Sequence, residues 1–264
     1  QTAGMVVGGT APAPSPVANL ESYDGTSWTE LADINNTRGR GTAGGTSTLA
    51  LFYGGSHPSP TMVAHTELWD GSSWTETTNL STGRNRGGGS GTGTSNIMAA
   101  GHNGSSDVTS TEEWDFTSTI AAGAWATGGN LNAHRASSHG TATGPATAAM
   151  AIAGYSPSPY LYQTEVEEYD GSSWTEVADV NTGVSGPGTV GTQAAALKFL
   201  GTTGSMTVNN ESWNGSSWTE LANLNQSRYR AGAAGTSTSA IAYGGTPPQS
   251  GLSEEWDGSS WTEI

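Results

Sequence analysis

The sequence predicts an all-β protein, a six-bladed β-propeller of four-stranded blades formed by one domain over residues 1–264. Three observations carry this reading. A phrase consisting of an aromatic, Asp or Asn, then Gly, Ser or Thr, Ser, Trp, Thr and Glu recurs along the whole chain. The Trp closing each copy falls at 28, 74, 125, 174, 218 and 261, giving intervals of 46, 51, 49, 44 and 43 residues; a propeller blade takes roughly 40–50. Within each interval the side chains also grade from Gly, Ala and Thr to Trp, as a wedge narrowing toward an axis requires.

The phrase itself reads as a tight β-hairpin. Intact copies begin at Tyr23, Trp69, Tyr169, Trp213 and Trp256, and a sixth, from Trp114, is stretched by an insertion before Trp125. Asp-Gly or Asn-Gly supplies the positive φ values that two-residue hairpin turns need. The aromatic and the closing Trp are then expected on one face as diagonal cross-strand neighbours. A lone hairpin cannot bury those rings, so repetition implies stacking.

Four strands are expected per repeat. The first is the small-residue stretch beginning near Arg38, Arg84, Arg135, Val184 or Arg228. The second is a short apolar run ending at glycine: GMVVGG, LALFYGG, NIMAAG, AAMAIAG, ALKFLG and SAIAYGG. These runs do not alternate, which fits strands covered on both faces. The third is the arm before the turn and the fourth is the SSWTE arm after it. Between second and third strands lie variable stretches, several rich in Pro and Ser, such as TAPAPSPVAN, SHPSPTMVAH and YSPSPYLYQ. They read as stiff exposed connections that do not continue a strand. Approximate blades are 1–34, 35–80, 81–131, 132–180, 181–224 and 225–264.

One count does not close. Second, third and fourth strands occur six times, the first strand only five times. Either the first blade has three strands or the chain is a segment of a longer array. The second alternative is favoured, because a missing innermost strand leaves ladder edges open at the axis.

Leu, Ile, Val and Phe make up one-eighth of the chain and the formal net charge is −15, a composition that ordinarily signals disorder. Ten Trp and eight Tyr at periodic positions argue for a folded chain instead, since each ring carries a large buriable area. The absence of Cys excludes disulfides, thiolate metal sites and Cys nucleophiles. No apolar run approaches the ~20 residues of a membrane-spanning helix. Eight basic residues against 23 acidic ones disfavour nucleic acid and anionic lipid as partners.

The glycine pairs Gly8-Gly9, Gly54-Gly55 and Gly244-Gly245, the aromatic before each turn and the closing Trp resemble the kelch-type β-propellers. Three of six repeats keep the glycine pair. With its Ser/Thr/Gly-rich filler the array looks most like kelch-like repeats of phage structural and bacterial surface proteins. That resemblance implies a non-enzymatic module for adhesion, ligand binding or structure, extracellular or on a virion, able to join a larger virion or surface assembly. Two other classes are carried beside it. A galactose-oxidase-like or glycan-active enzyme is one, although the copper site of galactose oxidase needs a Cys crosslinked to Tyr. An intracellular kelch adaptor gripping peptides is the other. The Asp-box of sialidase-like propellers fits less well, because Asp and Gly are adjacent here.

No catalytic or metal constellation stands out from the repeat, and no cofactor is expected. Of five His, only His134 and His139 are close in sequence, flanking a first strand. Asp24, Asp70, Asp170 and Asp257 are expected to cap their own turns. Because strands alternate direction, second-to-third loops and fourth-to-first crossings share one face. That loop face is where a glycan or protein partner is expected. Its candidate binding residues are Arg38, Arg40, Arg84, Arg86, Arg135, Arg228 and Arg230 at the crossings, with His57, Tyr155, Tyr160 and Tyr162 on the loops. Arg suits carboxylate or sulfate and exposed aromatics suit sugar faces; the competing role for each Arg is pairing with acids or carbonyls of a neighbouring blade. Trp28, Trp74, Trp125, Trp174, Trp218 and Trp261 are assigned a structural role between blades.

Overall fold

The fold is built outward from the repeated turn. In a computed structural model, which describes residues 4–10, 15–57, 61–116, 123–136, 142–157, 160–246 and 251–264 (backbone only at 142–143, 157 and 160), Asp24 N donates to Ser27 O at 3.2 Å. Gly25 and Thr26 are therefore the central residues, and only Gly25 has positive φ, at 101°. The Asp24 carboxylate accepts the amides of Thr26 at 2.8 Å and Ser27 at 2.9 Å. Asp thus sits one place before the turn, locked there by its own side chain. This corrects the expected register. Tyr23 lies directly opposite Trp28 rather than diagonal to it, and the same holds for Trp69–Trp74, Trp114–Trp125, Tyr169–Trp174, Trp213–Trp218 and Trp256–Trp261. Ring centroids in these six pairs stand 4.9–5.6 Å apart.

Six antiparallel sheets follow in chain order. The first blade has three strands, β1 (Gly4–Thr10), β2 (Pro16–Tyr23) and β3 (Trp28–Leu31). The second has β4 (Thr42–Thr46), β5 (Leu49–Tyr53), β6 (Thr66–Trp69) and β7 (Trp74–Glu76). The third has β8 (Gly88–Gly91), β9 (Ser95–Ala99), β10 (Thr111–Asp115) and β11 (Ala124–Thr127). The fourth has β12 (Ala142–Thr143), β13 (Met150–Pro157), β14 (Tyr160–Tyr169) and β15 (Trp174–Val177), with one 3₁₀ turn at Ala146–Ala148. The fifth has β16 (Gly188–Thr192), β17 (Ala195–Phe199), β18 (Asn210–Trp213) and β19 (Trp218–Glu220). The sixth has β20 (Gly232–Gly235), β21 (Ala240–Tyr243), β22 (Ser253–Trp256) and β23 (Trp261–Glu263). Among the described residues the first blade has three strands and the other five have four.

Innermost strands β4, β8, β12, β16 and β20 neighbour one another in turn, where side chains must be small. A Cβ on Gly44 would run into the Asn96 amide of the next blade. Farther out, the closing Trp of one blade packs on the second strand of the blade before it. Trp125 meets Tyr53 at 4.9 Å, Trp261 meets Phe199 at 4.8 Å, and Trp28 meets Tyr243 at 5.5 Å. The last contact, together with Tyr243 Oη donating to Met5 O at 3.2 Å, joins the sixth blade to the first. Trp74, Trp174, Trp218 and Trp261 are buried and Trp28 and Trp125 half-buried, so all six stand between blades as the sequence predicts.

Two features differ from the sequence reading. The stretches TAPAPSPVAN and YSPSPYLYQ, expected to interrupt strands, prolong them instead: Thr10 pairs with Pro16, and Tyr155 with Tyr162. The glycine pair is also more general than its sequence. Where Gly8, Gly54 and Gly244 are replaced by Ala100, Ala153 and Leu200, the backbone keeps the same left-handed φ of 56–63°.

Candidate functional site

Crossings and second-to-third loops share a face, as strand alternation requires. Isolated bridges join Gly39 to Ser56, Asn85 to His102, Ala136 to Tyr155, Ser185 to Thr202 and Tyr229 to Thr246. Each pairs a crossing residue with the loop that leaves the second strand.

The arginines at these crossings divide into two sets. Arg38, Arg84, Arg135 and Arg228 turn inward and are buried, each against a buried Glu: Glu67, Glu112, Glu167 and Glu254. The Glu lies two residues before the aromatic of the third strand. Its carboxylate also accepts the backbone N–H of the residue three before the Arg, as in Asn35 N to Glu67 at 2.7 Å and Asn225 N to Glu254 at 2.8 Å. The Arg carbonyl meanwhile accepts a glycine amide at the end of the preceding blade's second strand, such as Gly55 N to Arg84 O at 2.8 Å. Each crossing is therefore latched to its own blade by side chain and to the preceding blade by backbone. The pairing partner, expected on a neighbouring blade, is on the same one. Burial lowers the pKa of Arg38, Arg84 and Arg135, while each facing Glu opposes that shift. These four have no surface for a ligand.

The fifth blade solves the same problem differently. Val184 replaces the Arg, and Lys198 from β17 supplies the cation, donating to Glu211 at 2.7 Å and to Thr182 O at 2.9 Å. At the position of Lys198 the other blades carry Val6, Phe52, Met98, Ala151 and Ala242. The sequence signal for these latches was present in the recurring third-strand Glu, which reads as one more repeated acid until its partner is seen.

With Lys198 and four arginines consumed, three of the eight basic residues remain, and all three belong to the second set. Arg40, Arg86 and Arg230 share one position at the entry to the first strand, with φ of 59°, 57° and 59°. Arg86 N donates to Arg40 O at 3.1 Å, and Arg230 N to Gly186 O at 3.0 Å, so this position is bonded to its equivalent in the preceding blade at two of the crossings. Burial first, then the charges of Arg40 and Arg230, lower the pKa of Arg86. A cavity of about 650 Å³ adjoins Arg86 and Arg230, lined also by Tyr155, Tyr162, Tyr229 and Met206 among others. Tyr155 and Tyr162 stack at 5.6 Å, and Arg230 lies over the Tyr229 ring at 4.7 Å.

The remaining candidates are placed as follows. His57 stands apart in the second blade, its Nδ1 2.9 Å from Thr37 O and its ring 6.2 Å from His65. The side chain of Tyr160 and all of His139 lie outside the described residues, whereas His134 contacts Ser156 Oγ at 3.2 Å. Among the described residues, no three His, Asp or Glu side chains gather as a metal site, and no helix is long and apolar enough to cross a membrane.

No family model and no curated protein matches this sequence. Among solved structures, that of YjhT superposes with a TM-score of 0.73 over 93% of this chain and 91% of its own, at 14% identity. At that identity the likeness speaks for the propeller fold alone.

Proposed function

We propose that this protein is a non-enzymatic binding propeller whose ligand is an anionic glycan, carboxylated or sulfated, held at the mouth of its channel on the loop face. The observation that supports this reading is the placement of Arg40, Arg86 and Arg230. In a chain of net charge −15, Arg86 and Arg230 line one opening beside stacked tyrosines, and the charge of Arg40 acts on Arg86 there. Guanidinium groups bind carboxylate and sulfate in forked pairs, and Tyr rings cover sugar faces. An adhesion role on a virion or cell surface is consistent with such a module.

A non-Gly residue held in the left-handed region costs roughly 1–3 kcal/mol, and the fifth blade places Gly186, at φ 63°, where three other blades place Arg. Stability alone favours glycine at all of them.

The test is calorimetric titration of the protein with carboxylated and sulfated oligosaccharides, with neutral oligosaccharides as controls. Binding to the anionic sugars is expected to weaken as salt is raised. Arg86→Gly should weaken it at least tenfold while leaving the melting temperature unchanged or higher. Equal affinity of the variant and the parent, or a preference for neutral sugars, would overturn the reading.

A further inference from the structure

The latch described above should exist six times. The sixth Glu is Glu21, two residues before Tyr23, with the same register as its counterparts: it pairs with Val6 on one side and Glu30 on the other. Yet Glu21 is exposed where the other five are buried, and no cation or amide of the described residues reaches it. The backbone half of the latch is open as well. Gly9, Gly55, Gly101, Gly154 and Gly201 each donate their amide to the carbonyl of a crossing residue, whereas Gly245, their equivalent in the sixth blade, meets no such carbonyl among the described residues. Between these two open halves runs the inner edge of β1, without a strand partner among the described residues and only half-buried, unlike β5, β9 and β17. A cavity of about 530 Å³ lies beside it, bounded by Gly4, Met5 and Val7 and by the innermost strands of other blades.

We infer that this seam is a binding site for an extended segment of one stated kind. It reads apolar residue, Asn, two residues, Arg, two further residues, and then a run of Gly, Ala and Thr, the phrase with which the chain itself enters a blade (Leu224–Thr236). Each part has a waiting counterpart. The Asn amide and the Arg guanidinium take the Glu21 carboxylate, the Arg carbonyl takes the Gly245 amide, and the small residues pair with β1 as a fourth strand. Strand addition to an open edge supplies affinity through main-chain bonds and specificity through the pocketed side chains. The occupant is a segment that carries this phrase and is not already built into a blade. A second copy of this chain does not supply one, because its own five entry segments are engaged in its own blades.

The experiment titrates the full chain with a fluorescent synthetic peptide of the sequence Leu224–Thr236 and follows anisotropy, melting temperature and amide exchange. Saturable binding at one peptide per chain is expected, with a raised melting temperature and slowed exchange at Gly245 and along β1. Replacing the peptide's Arg228 by Ala, or Glu21→Gln in the protein, should each weaken binding at least tenfold. Because Glu21 is exposed, its variant should melt like the parent without peptide. No binding, binding indifferent to both substitutions, or protection confined to the arginine mouth would overturn the inference. So would a concentration-dependent dimer that protects Gly245 and β1 without peptide, which would mean that a second copy fills the seam.

Discussion

At the scale of the residue, the turn carboxylates show how little chemistry the repeat needs. Asp24, Asp70, Asp170 and Asp257 are held at about 2, below their ordinary 3.8, by hydroxyl and amide donors two and three residues on. A carboxylate depressed in the folded state stabilises fully above its unfolded value and loses that contribution as pH falls through its folded one. The window is therefore roughly pH 4 to 2. The fifth intact turn carries Asn214, which accepts the same amides of Ser216 and Ser217 at 2.9 Å through a neutral oxygen. Replacing all four Asp by Asn should keep the hairpins and flatten the fall in melting temperature between pH 4 and pH 2 relative to the parent. A variant that follows the parental curve would show that these turns do not set acid sensitivity.

At the scale of the element, a blade is a sheet plus one latch. Removing the cation of a buried pair leaves an uncompensated buried charge, at a cost of about 3–5 kcal/mol. Lys198→Ala should lose that much in urea titration. Adding Val184→Arg should restore most of it, since the double variant recreates the fourth and sixth blades, which have Ala151 and Ala242 at that position and a crossing Arg. Failure of the second substitution to rescue the first would show that the two positions are not interchangeable. The same elements show what the sequence disclosed and what it hid. Spacing of the closing Trp was enough for blades, strand order and the shared face, because period and alternation are local properties. It could not separate Arg38 from Arg40, two residues apart with opposite fates. Which one turns inward depends on a left-handed φ at the second and on a Glu some 30 residues away. The hairpin tips of the first and fourth blades were hidden for a similar reason, since their Pro and Ser chemistry is the same whether the flanking strands stop or continue.

At the scale of the whole molecule, rings of aromatic side chains cement blade to blade. Trp174 is buried against Ile97 and Ala99 of the preceding blade, and Trp174→Ala should cost about 3–5 kcal/mol in the same titration. A loss below ~1 kcal/mol, the size of an ordinary substitution, would contradict an interblade role. The face opposite the loops has a consequence of its own. Five near-identical turns, exposed at Asp24, Asp70, Asp170, Asn214 and Asp257, are set around one circle. Whatever recognises one of them meets four more at fixed spacing, so a multivalent reagent with weak sites can hold the disc firmly through effective concentration alone. The repeated face is thus suited to avidity.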